Sequence, residues 1–470
     1  MLTILTFTFN AIANFALGLG VAYYLGAEEF GTFALVVATA TVLQTLCFEW
    51  LRLSANRFYG DTQSDADPGI VATLKTTTGI IAIVLSAVAL VLYLGGGAFG
   101  VTALVAGLAP LVAISSGLFD FRAGLARARF LHKRYATLVI VKQAIAMVLM
   151  LGGAYYWHRA DYVLLGLCIS ALFGVLFSGR FQGEGGQHPA SARKDLLRQF
   201  AVYAAPLIVA SIIFQINMLM VRSGVALQFG MAESGRYSLA LDLALKLVAT
   251  IGSALDILLF QLAVRAEAEG DTEAARAQLA KNILIVVAIV LPACVGFWLV
   301  LPSVEALFVG KSYQGAFTHY TTQLLPGLFA YAMVQYVINP LFQIARKTTP
   351  VILAALFNFA VTASILFLVP GSDGGLGAIA TSLGFIAGAV LMALLAWKIA
   401  PVNVPWGGLL KVGVATIFMG LAAWPLRGMS PGTGALIATA GAGSVAYLAL
   451  CLGLNVGDAR GYLKKRMQHR

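Results

Sequence analysis

Long apolar runs alternate with short gaps along this sequence, and the basic residues accumulate in every second gap. Most of the 31 Lys and Arg residues lie in these alternate gaps or in the C-terminal tail. The intervening gaps hold only five, which are Arg159, Arg222, Arg236, Lys311 and Arg427. Cytoplasmic loops of membrane proteins keep the positive charge. The pattern therefore predicts a multi-pass membrane protein with both termini in the cytoplasm.

The composition supports a lipid environment. Hydrophobic residues make up 60% of the chain and charged residues only 11%, whereas a soluble domain carries roughly a quarter charged residues. The net charge of +11 is dispersed over short loops, so it does not indicate a nucleic-acid partner. The cysteines lie in apolar runs without CxxC spacing, which predicts small core residues and no metal site. The first run begins at Leu2 without a basic segment before it, which predicts a retained span.

The sequence contains about fourteen apolar stretches whose length is close to the ~20 residues of a spanning helix. They predict an all-α integral membrane protein with about fourteen transmembrane helices. The predicted spans are 2–25, 33–53, 70–94, 98–121, 136–157, 162–180, 200–222, 238–264, 282–302, 316–341, 350–370, 376–398, 406–426 and 432–454.

The longest gap follows the sixth span and is rich in Gly and Gln, which is typical of a flexible linker. It divides the prediction into two six-helix lobes and a short C-terminal part. The predicted segments are an N-terminal lobe (1–181), a cytoplasmic linker (182–199), a C-terminal lobe (200–400), two further spans (401–457) and a basic cytoplasmic tail (458–470).

A short motif recurs after the first and seventh spans. At one constant offset the sequence pairs Gly26 with Gly230, Glu29 with Glu233, Gly31 with Gly235, Phe33 with Tyr237 and Leu35 with Leu239. Gly-rich turns with an acidic residue are common between helices, but several matches at one offset favour a repeat. Because both spans start on the cytoplasmic side, the two lobes are predicted to be parallel repeats related by an axis along the membrane normal.

The segment from Tyr24 to Leu35, its copy from Phe229 to Leu241 and the basic turn from Arg127 to Tyr135 resemble bacterial polysaccharide transporters. These are the O-antigen and capsule repeat-unit flippases of the multidrug/oligosaccharidyl-lipid/polysaccharide flippase superfamily. The resemblance implies movement of undecaprenyl-pyrophosphate-linked oligosaccharides across the bacterial inner membrane by alternating access. Exopolysaccharide, capsule or lipopolysaccharide biosynthesis would use that step. Many relatives have twelve spans, and the two additional spans after Pro401 resemble the fourteen-span members.

The resemblance also implies partners: the lipid-linked oligosaccharide, membrane lipids, H⁺ or Na⁺ as a coupling ion, and other polysaccharide-assembly proteins. We expect no cofactor. The sequence has no HExxH, GxSxG or P-loop motif, so no catalytic residue is predicted. One alternative is a cation-coupled multidrug or toxin extruder on the same scaffold. A second is a membrane-embedded polysaccharide polymerase or ligase, although such enzymes usually need a long outer loop and the outer loops here are short.

Three basic residues lie neither in a gap nor in the tail but inside predicted spans. They are Lys75, Lys142 and Lys246. Lys75 is close enough to the cytoplasmic end to snorkel. In the eighth span, Asp242, Lys246 and Asp256 share one helix face. Charges at this depth are costly, so they indicate function: Lys246 would bind the substrate phosphate, and Asp242 or Asp256 a coupling ion. The alternative is a self-neutralising Asp242–Lys246 pair.

Further predicted site residues lie in the first, second, fifth and seventh spans. Lys142 is either a cavity cation or an anchor to the cytoplasmic interface. The resembled family lines its central cavity with spans one, two, seven and eight. This implies roles for Asn10, Asn14, Arg52 and Gln215 in substrate binding and for Glu49 in ion coupling. Amides also hold helices together, and Glu49 and Arg52 have the spacing of a local ion pair. Arg222 is predicted to anchor to headgroups.

Overall fold

The computed structural model describes residues 2–59, 68–96, 102–177, 192–268, 272–344, 347–399, 404–458 and 460–461. Within these ranges, side chains are described except at residues 2–5, 7–8, 59, 68, 206–207, 253–268, 272–277, 343–344 and 399.

All regular elements in these ranges are helical, which confirms the predicted fold class. The α-helices are α1 (Leu2–Gln44), α2 (Trp50–Ser54), α3 (Pro68–Leu94), α4 (Ala103–Ala128), α5 (His132–Trp157), α6 (Ala160–Phe177), α7 (Lys194–Phe229), α8 (Met231–Ala268), α9 (Thr272–Phe308), α10 (Ala316–Met333), α11 (Asn339–Ile344), α12 (Thr349–Leu368), α13 (Gly375–Ile399), α14 (Trp406–Arg427) and α15 (Thr433–Gly453). Three π-helical turns continue α1, α2 and α10, at Thr45–Glu49, Ala55–Tyr59 and Val334–Ile338.

Twelve helical segments of the described chain are long and apolar enough to cross a membrane. The first, Phe9–Phe58, covers two predicted spans, and the eighth predicted span falls in α8, where many side chains are outside the described set. Large apolar side chains such as Leu176, Leu368 and Trp397 are more than 70% exposed. A surface of this kind is stable in lipid and not in water. The chain is therefore a multi-pass membrane protein.

The predicted gaps after the first and seventh spans are much shorter than the sequence indicated. Within α1 only Gly26 leaves the helical conformation, with φ 76° and ψ 174°. Gly230 alone separates α7 from α8, with φ 92° and ψ 165°. Polar residues after each glycine lowered the local hydropathy, although they continue the helix. The two glycines predicted to correspond thus adopt nearly the same conformation, which glycine alone adopts readily.

The repeated segments also contact each other reciprocally at a second glycine pair. A Cβ atom added to Gly31 would lie 2.1 Å from the carbonyl oxygen of Met231, and one added to Gly235 would lie 1.8 Å from that of Ala27. Met231 and Ala27 themselves correspond at the repeat offset. Small residues let two helix backbones approach this closely. The contact between α1 and the start of α8 is therefore nearly two-fold symmetric at the residue level.

The chain forms two compact units, Met1–Ser238 and Leu239–Arg470. In the first unit, buried residues of α2 to α7 form a core that includes Leu51, Leu74, Leu138 and Phe200. A second core joins α1, α4 and α6 around residues such as Val112 and Leu164. These cores fix the positions of α1, α4, α5 and α6, from which the polar side chains described below project.

In the second unit, Ile338 and Phe342 pack on Met392 of α13. The two C-terminal helices pack on α9 through Leu299, Met419 and Ala423. The predicted division into lobes at a linker over 182–199 stays a prediction, because residues 178–191 lie outside the described ranges. The tail prediction for 458–470 likewise falls mostly outside them.

Candidate functional site

A group of polar and charged side chains lies among the membrane-spanning helices of the first unit. We call Gln44, Glu49, Arg52, Asp120 and Lys142 the polar cluster. At its centre, Gln44 of α1 donates a hydrogen bond to Asp120 of α4, with 2.5 Å between Nε2 and Oδ2. The carboxylate also lies near enough to Arg52 and Lys142 to interact electrostatically with both. Asp120 therefore links three helical segments of the unit.

Arg52 and Glu49 form the local ion pair that their spacing predicted. The Arg52 Nε donates to Glu49 Oε2 at 2.9 Å, and a second bond joins Arg52 Nη2 to Glu49 Oε1. Glu49 lies in the π-helical turn Thr45–Glu49, and such turns are frequent at functional sites. A Cβ on Gly124 would lie 3.2 Å from Arg52 Cγ. The glycine thus lets α4 pack closely against the arginine stem.

Lys142 of α5 points into the first unit. Its ammonium nitrogen lies 4.2 Å from the ring centroid of Phe119, over the aromatic face, where a cation is attracted by the ring quadrupole. A Cβ on Gly174 would come within 3.2 Å of Lys142 Cβ, so α6 also lies against the lysine stem. Of the two predictions for this residue, the internal cation fits this geometry better than an anchor reaching the membrane surface.

The polar cluster is balanced in charge. With all four ionisable groups charged, Arg52 and Lys142 are offset by Glu49 and Asp120. Such a set has two chemical consequences at membrane depth, where isolated charges are costly. An anionic group can reach the cations only in competition with the carboxylates, and protonation of a carboxylate leaves the cluster net positive.

Amide side chains form a second polar group in the same unit. Asn14 donates to Asn10 at 3.1 Å, and Gln143 of α5 donates to the same Asn10 oxygen at 2.6 Å. The Asn10–Asn14 contact within α1 is the i,i+4 pair seen in the sequence. Gln143 is buried, and its bond to Asn10 joins α5 to α1. The structure thus shows the amides connecting helices, which was one of the two predicted uses.

Two further side chains of α7 bear on the predictions. Gln215 is partly buried, and Asn217 beside it is 1% exposed, with both amide atoms lacking a hydrogen-bond partner. Burying an amide without a partner is costly, so Asn217 presents an unsatisfied donor and acceptor inside the first unit. Arg222 is 7% exposed and donates to the Ala34 carbonyl at 3.1 Å. The prediction of a headgroup anchor was therefore wrong, because the side chain turns inward onto α1.

The second unit holds the predicted stripe on α8. Asp242 and Lys246 are both partly buried within this helix, and both have interactions with other groups. The side chain of Asp256 lies outside the described set, so its predicted role stays a prediction. Among the described residues, no group of three or more His, Cys, Asp or Glu side chains is arranged to hold a metal ion.

Asp120 is the residue that the sequence analysis missed. It lies at the end of the predicted fourth span and next to a basic gap, where hydropathy does not distinguish it from the residues of the loop. In the structure α4 continues to Ala128, which places Asp120 more than two helical turns inside. A helix boundary that included the amphipathic residues 122–128 would have identified it.

Comparisons with known proteins bear on the fold. No protein-family model matches the sequence, and no curated protein matches it. Several solved structures are similar. The lipid II flippase MurJ, in an inward closed conformation, has a TM-score of 0.74 at 13% identity, covering 97% of this chain and 98% of that one. This chain has the same fold as that flippase over nearly its whole length.

Two other transporter structures show the same fold. An inward-facing multidrug resistance MATE transporter has a TM-score of 0.66 at 14% identity and covers 83% of this chain. A MOP superfamily transporter from Pyrococcus furiosus, described as having a binding pocket of reversed polarity, has a TM-score of 0.50 at 14% identity and covers 85%. The MurJ match therefore extends over more of this chain than either of these.

Proposed function

We propose that this protein is a flippase that moves undecaprenyl-pyrophosphate-linked oligosaccharide units across the bacterial inner membrane by alternating access. The observation that carries the proposal is the polar cluster, in which two cations and two carboxylates lie among membrane-spanning helices. A pyrophosphate crossing hydrocarbon needs cations at that depth. The coverage of nearly the whole chain by the MurJ fold adds support at the level of architecture. The glycan would serve exopolysaccharide, capsule or O-antigen assembly.

The proposed roles follow the chemistry of each group. Lys246, Lys142 and Arg52 would bind phosphate oxygens, since charge-assisted hydrogen bonds are the strongest available. The amides of Asn10, Asn14 and Gln215 would bind sugar hydroxyls. Asp242, Asp256 and Glu49, together with the newly identified Asp120, would exchange protons or bind a cation as the substrate displaces them from their basic partners.

The proposal is tested by replacing Lys246 or Lys142 with Ala in a strain that depends on the protein for polysaccharide export. Transfer of the lipid-linked unit to the outer face should fall by at least tenfold while protein abundance stays normal. Lys75→Ala is the matched control, because Lys75 is an exposed basic residue of α3. Equal export by all three variants would contradict the assigned roles.

A cation-coupled drug extruder is the second candidate, and the fold shared with MATE transporters favours it. Extrusion of cationic drugs needs carboxylates and not basic residues. Under that function, Asp242→Asn and Asp120→Asn would sensitise cells to toxic cations, and Lys246→Ala would not. A drug-sensitivity assay on the same variants therefore separates the two functions.

A further inference from the structure

An arginine that lies over one tryptophan ring and beside a second is found at the end of α14 in the second unit. The guanidinium carbon of Arg427 is 4.0 Å from the ring centroid of Trp298 on α9 and 5.8 Å from that of Trp424. The two indole rings are themselves 5.3 Å apart. Stacking on an indole face fixes the plane of the guanidinium while leaving the N–H groups on its edge available. The arginine is thus oriented for a ligand that accepts hydrogen bonds.

No carboxylate among the described residues pairs with Arg427. Glu305 accepts hydrogen bonds from the backbone N–H groups of Gly315 and Thr318 at 2.8 and 3.0 Å. Asp373 accepts one from Gly375 at 2.9 Å. These acidic groups cap the starts of α10 and α13. By contrast, Arg159 and Arg236, which belong to the same set of predicted outer residues, have carboxylate partners.

The surface that leads to Arg427 is apolar and exposed. Val414, Ile417, Leu421 and Trp424 follow one another at spacings of three and four residues, so they lie on one face of α14. Ile417 and Leu421 are each 63% exposed. From Val414 to Arg427 the helix rises about 20 Å, at ~1.5 Å per residue. This length is close to that of one bilayer leaflet, whose hydrocarbon is about 15 Å thick, half of a ~30 Å core.

We propose that Arg427, Trp298 and Trp424 bind the phosphate headgroup of a membrane phospholipid whose acyl chain lies along the exposed face of α14. Phosphate is the anion that a planar guanidinium binds with two parallel hydrogen bonds. The apolar face requires that the anion carry a hydrocarbon chain. By the predicted topology this lipid belongs to the outer leaflet. The site is separate from the polar cluster, and it does not depend on the proposed transport substrate.

The test is native mass spectrometry of the purified full-length protein titrated with dioleoyl phosphatidylglycerol. Arg427→Gln should weaken retention of the most tightly bound lipid by about tenfold, in line with the loss of a charge-assisted hydrogen bond. Lys311→Gln is the control, because Lys311 is an exposed cation on the same predicted side that lies over no aromatic ring of the described residues. Its lipid retention should equal that of the wild type.

Two competitor molecules test separately whether the phosphate and the acyl chains contribute to binding. Diolein has the acyl chains without the phosphate, and glycerol 3-phosphate has the phosphate without the chains. Neither should compete with phosphatidylglycerol at equal concentration. Competition by glycerol 3-phosphate would show an anion site without a role for α14, and competition by diolein would show a purely apolar surface. Either result would overturn the lipid site.

A fluorescence measurement with a second variant tests the site independently, in case Arg427→Gln does not fold. Phosphatidylglycerol brominated on its acyl chains should quench tryptophan emission in vesicles, and Trp424→Phe should reduce that quenching while keeping the charge. Equal quenching in the wild type, Trp424→Phe and Arg427→Gln would contradict the site. Arg427→Lys should bind with intermediate strength, because it keeps the charge and loses the planar fork.

Discussion

Asp120 connects the polar cluster through two different kinds of interaction. It accepts a hydrogen bond from Gln44 and lies close enough to Arg52 and Lys142 to stabilise both positive charges. Its removal therefore changes the charge available to an incoming anion, whereas loss of Gln44 removes one neutral donor. Asp120 is thus the carboxylate whose charge bears most directly on the anion binding proposed for this cluster.

Asp120→Asn should bind anionic substrate more tightly and transport it more slowly. The amide keeps a hydrogen-bond acceptor for Gln44 but removes the negative charge that competes with phosphate, so a bound anion would also be released more slowly. We expect the affinity for undecaprenyl phosphate to rise several-fold and the rate of flipping in proteoliposomes to fall.

Asp195→Asn is the matched control for this measurement. Asp195 is an exposed residue of α7 that is paired with Arg193 at 2.6 Å and does not belong to the polar cluster, so the change alters net charge equally at an exposed site. If the two variants behave alike, the effect belongs to overall charge and not to the position of Asp120.

Individual residues show where sequence reasoning reaches its limit. Hydropathy identified Lys142 because an ammonium inside a long apolar run is conspicuous. It did not identify its neighbours Phe119 and Asp120, because residues distant in sequence meet only after α4 and α5 have packed. Likewise, the direction of Arg222 depends on the path of α1, which a single helix cannot reveal.

At the scale of elements, the two one-residue turns at Gly26 and Gly230 decide how α1 bends and where α7 ends. Each glycine has a positive φ with an extended ψ, a combination that costs other residues of order 1–3 kcal/mol. A Cβ at either position would meet no atom within 4 Å. The backbone conformation alone therefore sets the penalty for substitution.

Gly230→Ala and Gly26→Ala should each destabilise the protein by about 1–3 kcal/mol. Gly413→Ala is the comparison, since Gly413 lies within α14 and also has nothing within 4 Å of its added Cβ. That change should be neutral or stabilising, because Ala favours the helix by roughly 0.5–1 kcal/mol. Thermal aggregation in detergent measures all three. A penalty at Gly413 equal to the others would argue against the turn conformation as the cause.

The helices themselves were largely predictable, and their ends were not. Spans of about 20 apolar residues located the membrane-crossing segments because lipid imposes a minimum length. The extent of α1 and α7 was underestimated, since polar residues such as Glu28 and Glu29 can continue a helix beyond the hydrocarbon. The π-helical turns left no signal in hydropathy.

At the scale of the whole molecule, the alternation of basic gaps predicts which loops face the cytoplasm. Exposed aromatic residues agree with the position of one boundary: Tyr155, Tyr156 and Trp157 are all more than half exposed at the end of α5. Tyrosine and tryptophan accumulate at the interface between membrane and water. The opposite end of α5, at His132, lies in the basic gap that follows the fourth predicted span.

Cysteine labelling tests this orientation. In a variant without native cysteines, Lys311→Cys should react in intact cells with a maleimide that does not cross membranes. Lys133→Cys should react only after the membrane is permeabilised, because the positive charge of its gap is kept on the cytoplasmic side. The reverse pattern would place both termini outside.

The reciprocal contact between Gly31 and Gly235 has a mechanical consequence. At the closest approach, a Cβ added to either glycine would meet main-chain atoms of the other segment, which cannot move aside as a flexible side chain can. The two backbones can therefore stay this close only while both positions are glycine. A side chain introduced at either position would push the helices apart, so this pair of glycines sets how closely the two repeated segments approach each other.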